Sequence, residues 1–245
     1  MGHFLHDSLR PGWAPGWGRK PPLPEFRHAP ITYPEEDGVP LGETEFHVRA
    51  ILHLFAALDQ HLRGRQDAYV GADLLVYYEE GDPAKVIVPD VFVALGARRG
   101  PRRIFELWEE QAGPTVVIEV TSKSSRLEDL GAKKVLYEQI GVSEYYLFDP
   151  LGEYLTPRLQ GFRRAGDQLA AVGPLDGGTF DSPALGLELV PAEELLRLRD
   201  RKTGALLRTL DEEARQAEEE TRRAERAEAE VARLRAELER LRRGQ

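Results

Sequence analysis

The sequence predicts a mixed α/β domain whose core runs helix, strand, strand, strand, helix, strand, with a long charged helix appended. Three observations carry this reading. An amphipathic helical stretch precedes three strand-like runs, a strand–helix–strand unit fills residues 115–149, and the C-terminal residues carry a heptad repeat. The middle unit requires a right-handed parallel crossover, whereas a short turn joins the first two runs, so the sheet is expected to be mixed and flanked by helices.

Residues 1–40 are rich in Pro and Gly and lack periodicity, which reads as an N-terminal arm. Residues 41–200 form the predicted domain and 201–245 the tail. Between Glu43 and Leu62, Phe46, Ile51, Leu54, Phe55, Leu58 and Leu62 recur at helical spacing, and Gly64 ends the run. Strand-like runs follow at Ala68–Tyr78, Lys85–Leu95 and Thr115–Thr121, the first two joined by "EEGDP". A second helix is expected from Arg126 to Ile140, with Ser124 or Ser125 as N-cap and Gly141 as stop signal. "EYYLFDP" gives a strand closed by Pro150, residues 154–172 a hairpin, and "LGLELV" at 185–190 one more short strand. In the tail, Leu210, Ala217, Ala224, Ala227, Val231, Leu234, Leu238 and Leu241 fall on a seam of alternating three and four, with Glu213 and Glu220 filling the gaps. Charged flanks and a leucine-bearing end predict a coiled coil, and hence a homodimer through this helix. A single solvated helix is the competing reading.

Composition narrows the function. A net charge of −9 argues against generic polyanion binding by the whole surface. Cysteine is absent, which excludes disulfides, zinc ribbons and thiol nucleophiles and suits a reducing cytoplasm. No run of about 18 apolar residues is present, and the N-terminus has no secretory pattern. The stretch "RRGPRR" sets Arg98, Arg99, Arg102 and Arg103 on one loop, either solvated or contacting phosphates.

Glu119 stands out because Val116, Val117, Ile118 and Val120 surround it with the residues of a buried strand. A buried carboxylate is costly unless paired, hydrogen-bonded or bound to a metal. Strand parity points Glu119, Thr121 and Lys123 to one side. Asp90, between Val88 and Val91, supplies a second acid from the neighbouring run. Two such carboxylates suit a hard divalent cation such as Mg²⁺, which keeps several waters and takes substrate phosphates. On a helical wheel Leu127, Leu130, Leu136, Tyr137 and Ile140 define an inward face with Lys133 in its middle and Asp129 beside it. A lysine there needs a partner. A structural ion pair and a metal site with a catalytic lysine both satisfy these residues.

The αβββαβ order, with "PD" on the second strand, an acid in an apolar third strand and a lysine nearby, resembles the PD-(D/E)xK nuclease superfamily. More narrowly, "VPDVFVALG", "PTVVIEVTSKSS", "EDLGAKKVLYEQIGVSEYYLFDP" and "SPALGLEL" are similar to the Uma family of putative restriction endonucleases. The resemblance implies a Mg²⁺-dependent (or Mn²⁺-dependent) DNA endonuclease with a restriction-endonuclease-like core. It implies that Asp90, Glu119 and the carbonyl of Val120 hold the metal, and that a lysine orients or activates water. Thr121 stands where the superfamily pattern has that lysine. Lys133 on the following helix is the favoured replacement and Lys123 the competitor. Glu45, His47, Asp73, Asp129 and Tyr137 are supporting candidates around the site. The alternative function is a non-catalytic binding or assembly module of the same fold that dimerises through its tail.

Overall fold

The structure, a computed structural model, describes residues 31–34, 44–110, 112–122 and 125–243. It divides into two units, Met1–Thr32 and Tyr33–Gln245; nearly all of the expected arm, the expected helix start at Glu43 and the N-cap candidate Ser124 lie outside the described residues. The second unit contains, in chain order, α1 (Glu45–His61), β1 (Ala68–Ala72), β2 (Val76–Tyr77), β3 (Val86–Ile87), β4 (Val91–Leu95), β5 (Phe105–Glu106), α2 (Leu107–Glu110) and β6 (Val116–Val120). Then come α3 (Arg126–Glu128), a π-helical turn (Asp129–Lys133), α4 (Lys134–Gln139), β7 (Glu144–Phe148), β8 (Leu159–Ala165), β9 (Gln168–Val172), β10 (Phe180–Ser182), β11 (Leu187–Ala192), β12 (Leu195–Asp200) and α5 (Leu210–Arg243).

The central sheet has the order β1-β4-β6-β7-β8-β9. Within this sheet, among the described residues, only β6 and β7 pair in parallel, and the helical segment α3–α4 makes their crossover. The sheet is therefore mixed, as its connections require. Strand parity sorts β6 between two cores. Val116, Ile118 and Val120 face Ala50, Ile51 and Leu54 of α1 and the β10–β12 sheet, whose Leu187, Leu189, Leu196 and Leu198 join the same cluster. Val117 faces the other way, among Phe92, Tyr137, Tyr145 and Leu147. Glu119 shares that second face. Thr44 starts α1, its hydroxyl accepting from the His47 N–H at 3.3 Å.

Two expected strands are broken. The runs 68–78 and 85–95 each split, and their outer halves form a separate small sheet, β3-β2-β5. Asp73 sits in the left-handed region (φ 45°) between β1 and β2, and Pro89, which has no N–H for a ladder, precedes β4. The break frees Asp90 from the ladder at the end of β4.

The inward faces also differ from expectation. Phe46 and Phe55 of α1 are 39% and 37% exposed, while His47, Ala50 and Ala57 turn inward. Small side chains let the helix approach the sheet closely. In the second helix, Leu127 and Leu130 are 76% and 39% exposed. The π turn adds a residue to the helical repeat there, and the inward line becomes Asp129, Lys133 and Tyr137.

Gly71 faces Phe92 across the β1–β4 pair. A Cβ on Gly71 would lie 2.3 Å from the Phe92 ring, and that ring is fully buried between Tyr69 and Phe105. Gly71→Ala is expected to lower stability by about 1–3 kcal/mol, measured by urea denaturation. Among the described residues no helix is long and apolar enough to cross a membrane.

Candidate active site

The β4–β6 register pairs Val91 with Ile118, and one further step sets Asp90 opposite Glu119. The two acids tie the strand ends together. The Asp90 N–H donates to Glu119 Oε2 at 3.3 Å, and the Val120 N–H donates to Asp90 Oδ2 at 2.6 Å. Lys133 reaches in from the π turn, with its Nζ 3.1 Å from Glu119 Oε2 and 3.1 Å from Asp129 Oδ1. The Tyr137 hydroxyl donates a short hydrogen bond to Glu119 Oε1. On the α1 side, His47 Nε2 lies 3.7 Å from Asp90 Oδ1.

A second line of contacts fixes Asp129. Ser125 Oγ donates to its Oδ2 at 2.8 Å, and the Tyr145 hydroxyl donates to its carbonyl oxygen at 2.9 Å. Ser125 occupies the N-cap position but makes no side-chain capping bond; instead its hydroxyl accepts from the Ser122 N–H at 3.1 Å. Sequence reasoning missed this chain from Ser122 through Ser125 to Asp129. The signal was present, since Ser125 and Asp129 are four residues apart and can meet on one helix face.

The electrostatics follow from burial. Glu119 is fully buried, Asp129 nearly so. Asp90 holds its proton well above the usual carboxylate range, first because burial disfavours its charge and then because Glu119 repels it. Asp129 is also raised, chiefly by burial. For Lys133, burial alone would favour the neutral amine, but Glu119, Asp129 and Asp90 together outweigh it and raise the pKa. The lysine is therefore an ammonium at neutral pH. Tyr137 is pushed up by burial and by Glu119, so it stays a neutral donor.

Three carboxyl groups thus share one ammonium, with Glu119 and Asp129 buried and Asp90 and Lys133 partly exposed. Such an excess of negative charge fits a hard cation. Among the described residues no three His, Asp or Glu side chains are grouped to enclose a metal ion; two carboxylates could hold a hard cation that keeps several waters.

The other sequence candidates fall elsewhere. Glu45 is exposed and pairs with Arg49 at 2.6 Å. Asp73 is exposed, and its N–H donates to the Asp90 carbonyl at 3.2 Å. Lys123 lies outside the described residues. The arginine loop follows the far end of β4, about 17 Å from Asp90 by strand rise. Arg99 and Arg102 are engaged internally. Arg99 pairs with Asp59 and donates to the Leu62 carbonyl, while Arg102 pairs with Glu110 and lies 4.0 Å over the Tyr69 ring. Arg98 and Arg103 are exposed.

Comparison with known proteins bears on the same region. The family model Uma2, described as "Putative restriction endonuclease", matches residues 33–198. A solved structure, a "putative nuclease belonging to DUF820" from Anabaena variabilis, is similar at 14% identity and a TM-score of 0.44, covering 58% of this chain and 75% of that one. No curated protein matches. The family match takes in Asp90, Glu119, Asp129, Lys133 and Tyr137, and the chain belongs to the Uma2 family of putative restriction endonucleases.

Proposed function

We propose that the chain is a Mg²⁺-dependent DNA endonuclease that hydrolyses phosphodiester bonds, with a PD-(D/E)xK-type site whose lysine comes from the following helix. One observation carries the reading: Asp90 and Glu119 meet at adjacent strand ends, and Lys133 sits 3.1 Å from Glu119. Asp90, Glu119 and the carbonyl of Val120 would hold Mg²⁺ or Mn²⁺. A bound cation supplies Lewis-acid polarisation of the phosphate and a water that ionises more easily.

The chain's own groups then divide the remaining work. Lys133, kept protonated by its acidic neighbours, cannot accept the proton of an attacking water. It acts as a fixed positive donor that hydrogen-bonds Glu119 and pairs its charge with Asp129, leaving ammonium hydrogen for a water or phosphoryl oxygen. Asp129 anchors Lys133, and Tyr137 orients Glu119 by donating to its other oxygen. The partly buried Asp90, beside His47, is the acid placed to feel substrate approach.

Cleavage of supercoiled plasmid tests this. Wild type should nick or linearise DNA with Mg²⁺ or Mn²⁺, and Asp90→Ala and Lys133→Ala should each lose at least about 10³-fold in rate. Equal activity in all three, or none with any divalent cation, would sink the catalytic reading. A second reading draws on the number of donors Glu119 already has: Lys133, Tyr137 and the Asp90 N–H. Such a closed network also suits a non-catalytic binding or assembly module. Calorimetry with Mn²⁺ separates them, because only the endonuclease requires binding that is lost in Glu119→Gln.

A further inference from the structure

α5 is a 34-residue helix with no buried residue. Among the described residues it is fastened to its own domain near its start. Glu213 accepts from Gln60 Nε2 of α1 at 2.6 Å, and Glu212 pairs with Arg197 of β12 at 2.9 Å. Beyond those turns Val231, Leu234, Leu238 and Leu241 stand 46%, 47%, 56% and 64% exposed, spaced by three, four and three. Long apolar side chains in a row need a cover, and the charges beside them say which one.

With Val231 and Leu238 at a and Leu234 and Leu241 at d, the g positions are Arg223, Glu230 and Glu237, and the e positions are Glu228, Arg235 and Arg242. In a parallel, in-register pair each g residue meets the e residue five places later on the other copy. Arg223 then meets Glu228, Glu230 meets Arg235, and Glu237 meets Arg242. All three pairings are opposite in sign. An antiparallel pair opposes g to g and e to e. Over the leucine-bearing turns that sets glutamate against glutamate and arginine against arginine. Val231 at a beside Leu234 at d also favours two strands over more.

We propose that α5 zips with a second copy of this chain, parallel and in register, over residues 227–241. The zipper stops there because the d positions nearer the domain are Glu220 and Glu213, whose like charges repel across a parallel seam; Glu213 is instead used by its own α1. Parallel pairing holds both catalytic domains at the same end of the coil. The assembly does not depend on the endonuclease reading, and its test uses no DNA.

Light scattering of the full chain should give twice the 27.6 kDa chain mass. The protein has no cysteine, so Leu241→Cys introduces a single thiol on an exposed helix without disturbing the fold. In a parallel dimer two d-position thiols come within disulfide reach, and diamide oxidation should convert the chain to a covalent dimer. The double change Glu230→Lys and Glu237→Lys should weaken dimerisation by about tenfold or more. Mixing it with the Arg235→Glu, Arg242→Glu chain should restore dimers. A monomeric wild type overturns the proposal. So does a dimer that L241C leaves uncrosslinked, or undiminished dimerisation in the charge-reversed chain.

Discussion

Replacing Lys133 by methionine is expected to cost about 3–5 kcal/mol of stability and to abolish cleavage. Methionine fills most of the lysine stem's volume, so the loss is chiefly electrostatic. It leaves Glu119 and Asp129 buried without the ammonium that lies 3.1 Å from each. Tyr137 and Ser125 still donate to them, but neutral donors compensate a buried charge only in part. Adding Glu119→Gln to the same chain removes one stranded charge, and the amide oxygen can still accept from Tyr137. The double variant should therefore regain much of the lost stability, read by urea denaturation, while cleavage stays absent. A single variant as stable as wild type would mean that the ammonium does not compensate these acids.

Asp90→Asn should act in the opposite direction on stability while removing cleavage by at least about 10³-fold. The sign follows from linkage. Burial first, and Glu119 second, raise the Asp90 pKa in the folded chain, so the folded state holds that proton more tightly than the unfolded state. In the metal-free protein this contribution to stability is full below the ordinary aspartate range. It declines as pH rises and is lost above the folded-state pKa. Asparagine does not titrate and keeps an oxygen for the Val120 N–H. In EDTA at neutral pH, Asp90→Asn should be more stable than wild type by about 0.5–2 kcal/mol, and the fall of stability with rising pH that Asp90 contributes should disappear. An unchanged slope would show that Asp90 is not strained by its neighbour.

Much of this site was legible in the sequence because strand geometry is simple. A two-residue period is enough to put Glu119 on the side opposite Ile118 and Val120, and adjacency of two strands is enough to bring Asp90 near. The first-helix and hairpin assignments followed from equally local signals. Lys133 was reached by a wheel that placed Tyr137, Leu136, Ile140 and Asp129 correctly but named two wrong companions. Leu127 and Leu130 are exposed, because a π turn, which leaves no mark in a 3.6-residue periodicity, resets the face at Asp129. The splitting of both early strands was hidden for a similar reason. Asp73 and Pro89 interrupt runs whose apolar character continues on either side into different sheets.

An acid inside an apolar strand is by itself a weak indicator, as β7 shows. Glu144 is the first of its five strand residues, Asp149 follows the last, and both are buried like Glu119. Yet Glu144 is satisfied by Ser182, Tyr146 and the Ala184 N–H, and Asp149 by four loop N–H groups between Leu151 and Leu155. Those two acids build structure. Glu119 differs in its company: a second carboxyl that shares its field and a lysine that does not neutralise both.

Crystals of the wild-type protein soaked in Mn²⁺ give the most direct test of the proposed cation site. The anomalous difference map should show one peak between the carboxyl groups of Asp90 and Glu119, and Asp90→Asn should remove it. No peak at saturating Mn²⁺, or a peak only at exposed acids such as Glu45 or Asp73, would contradict a metal-dependent nuclease centred on these residues.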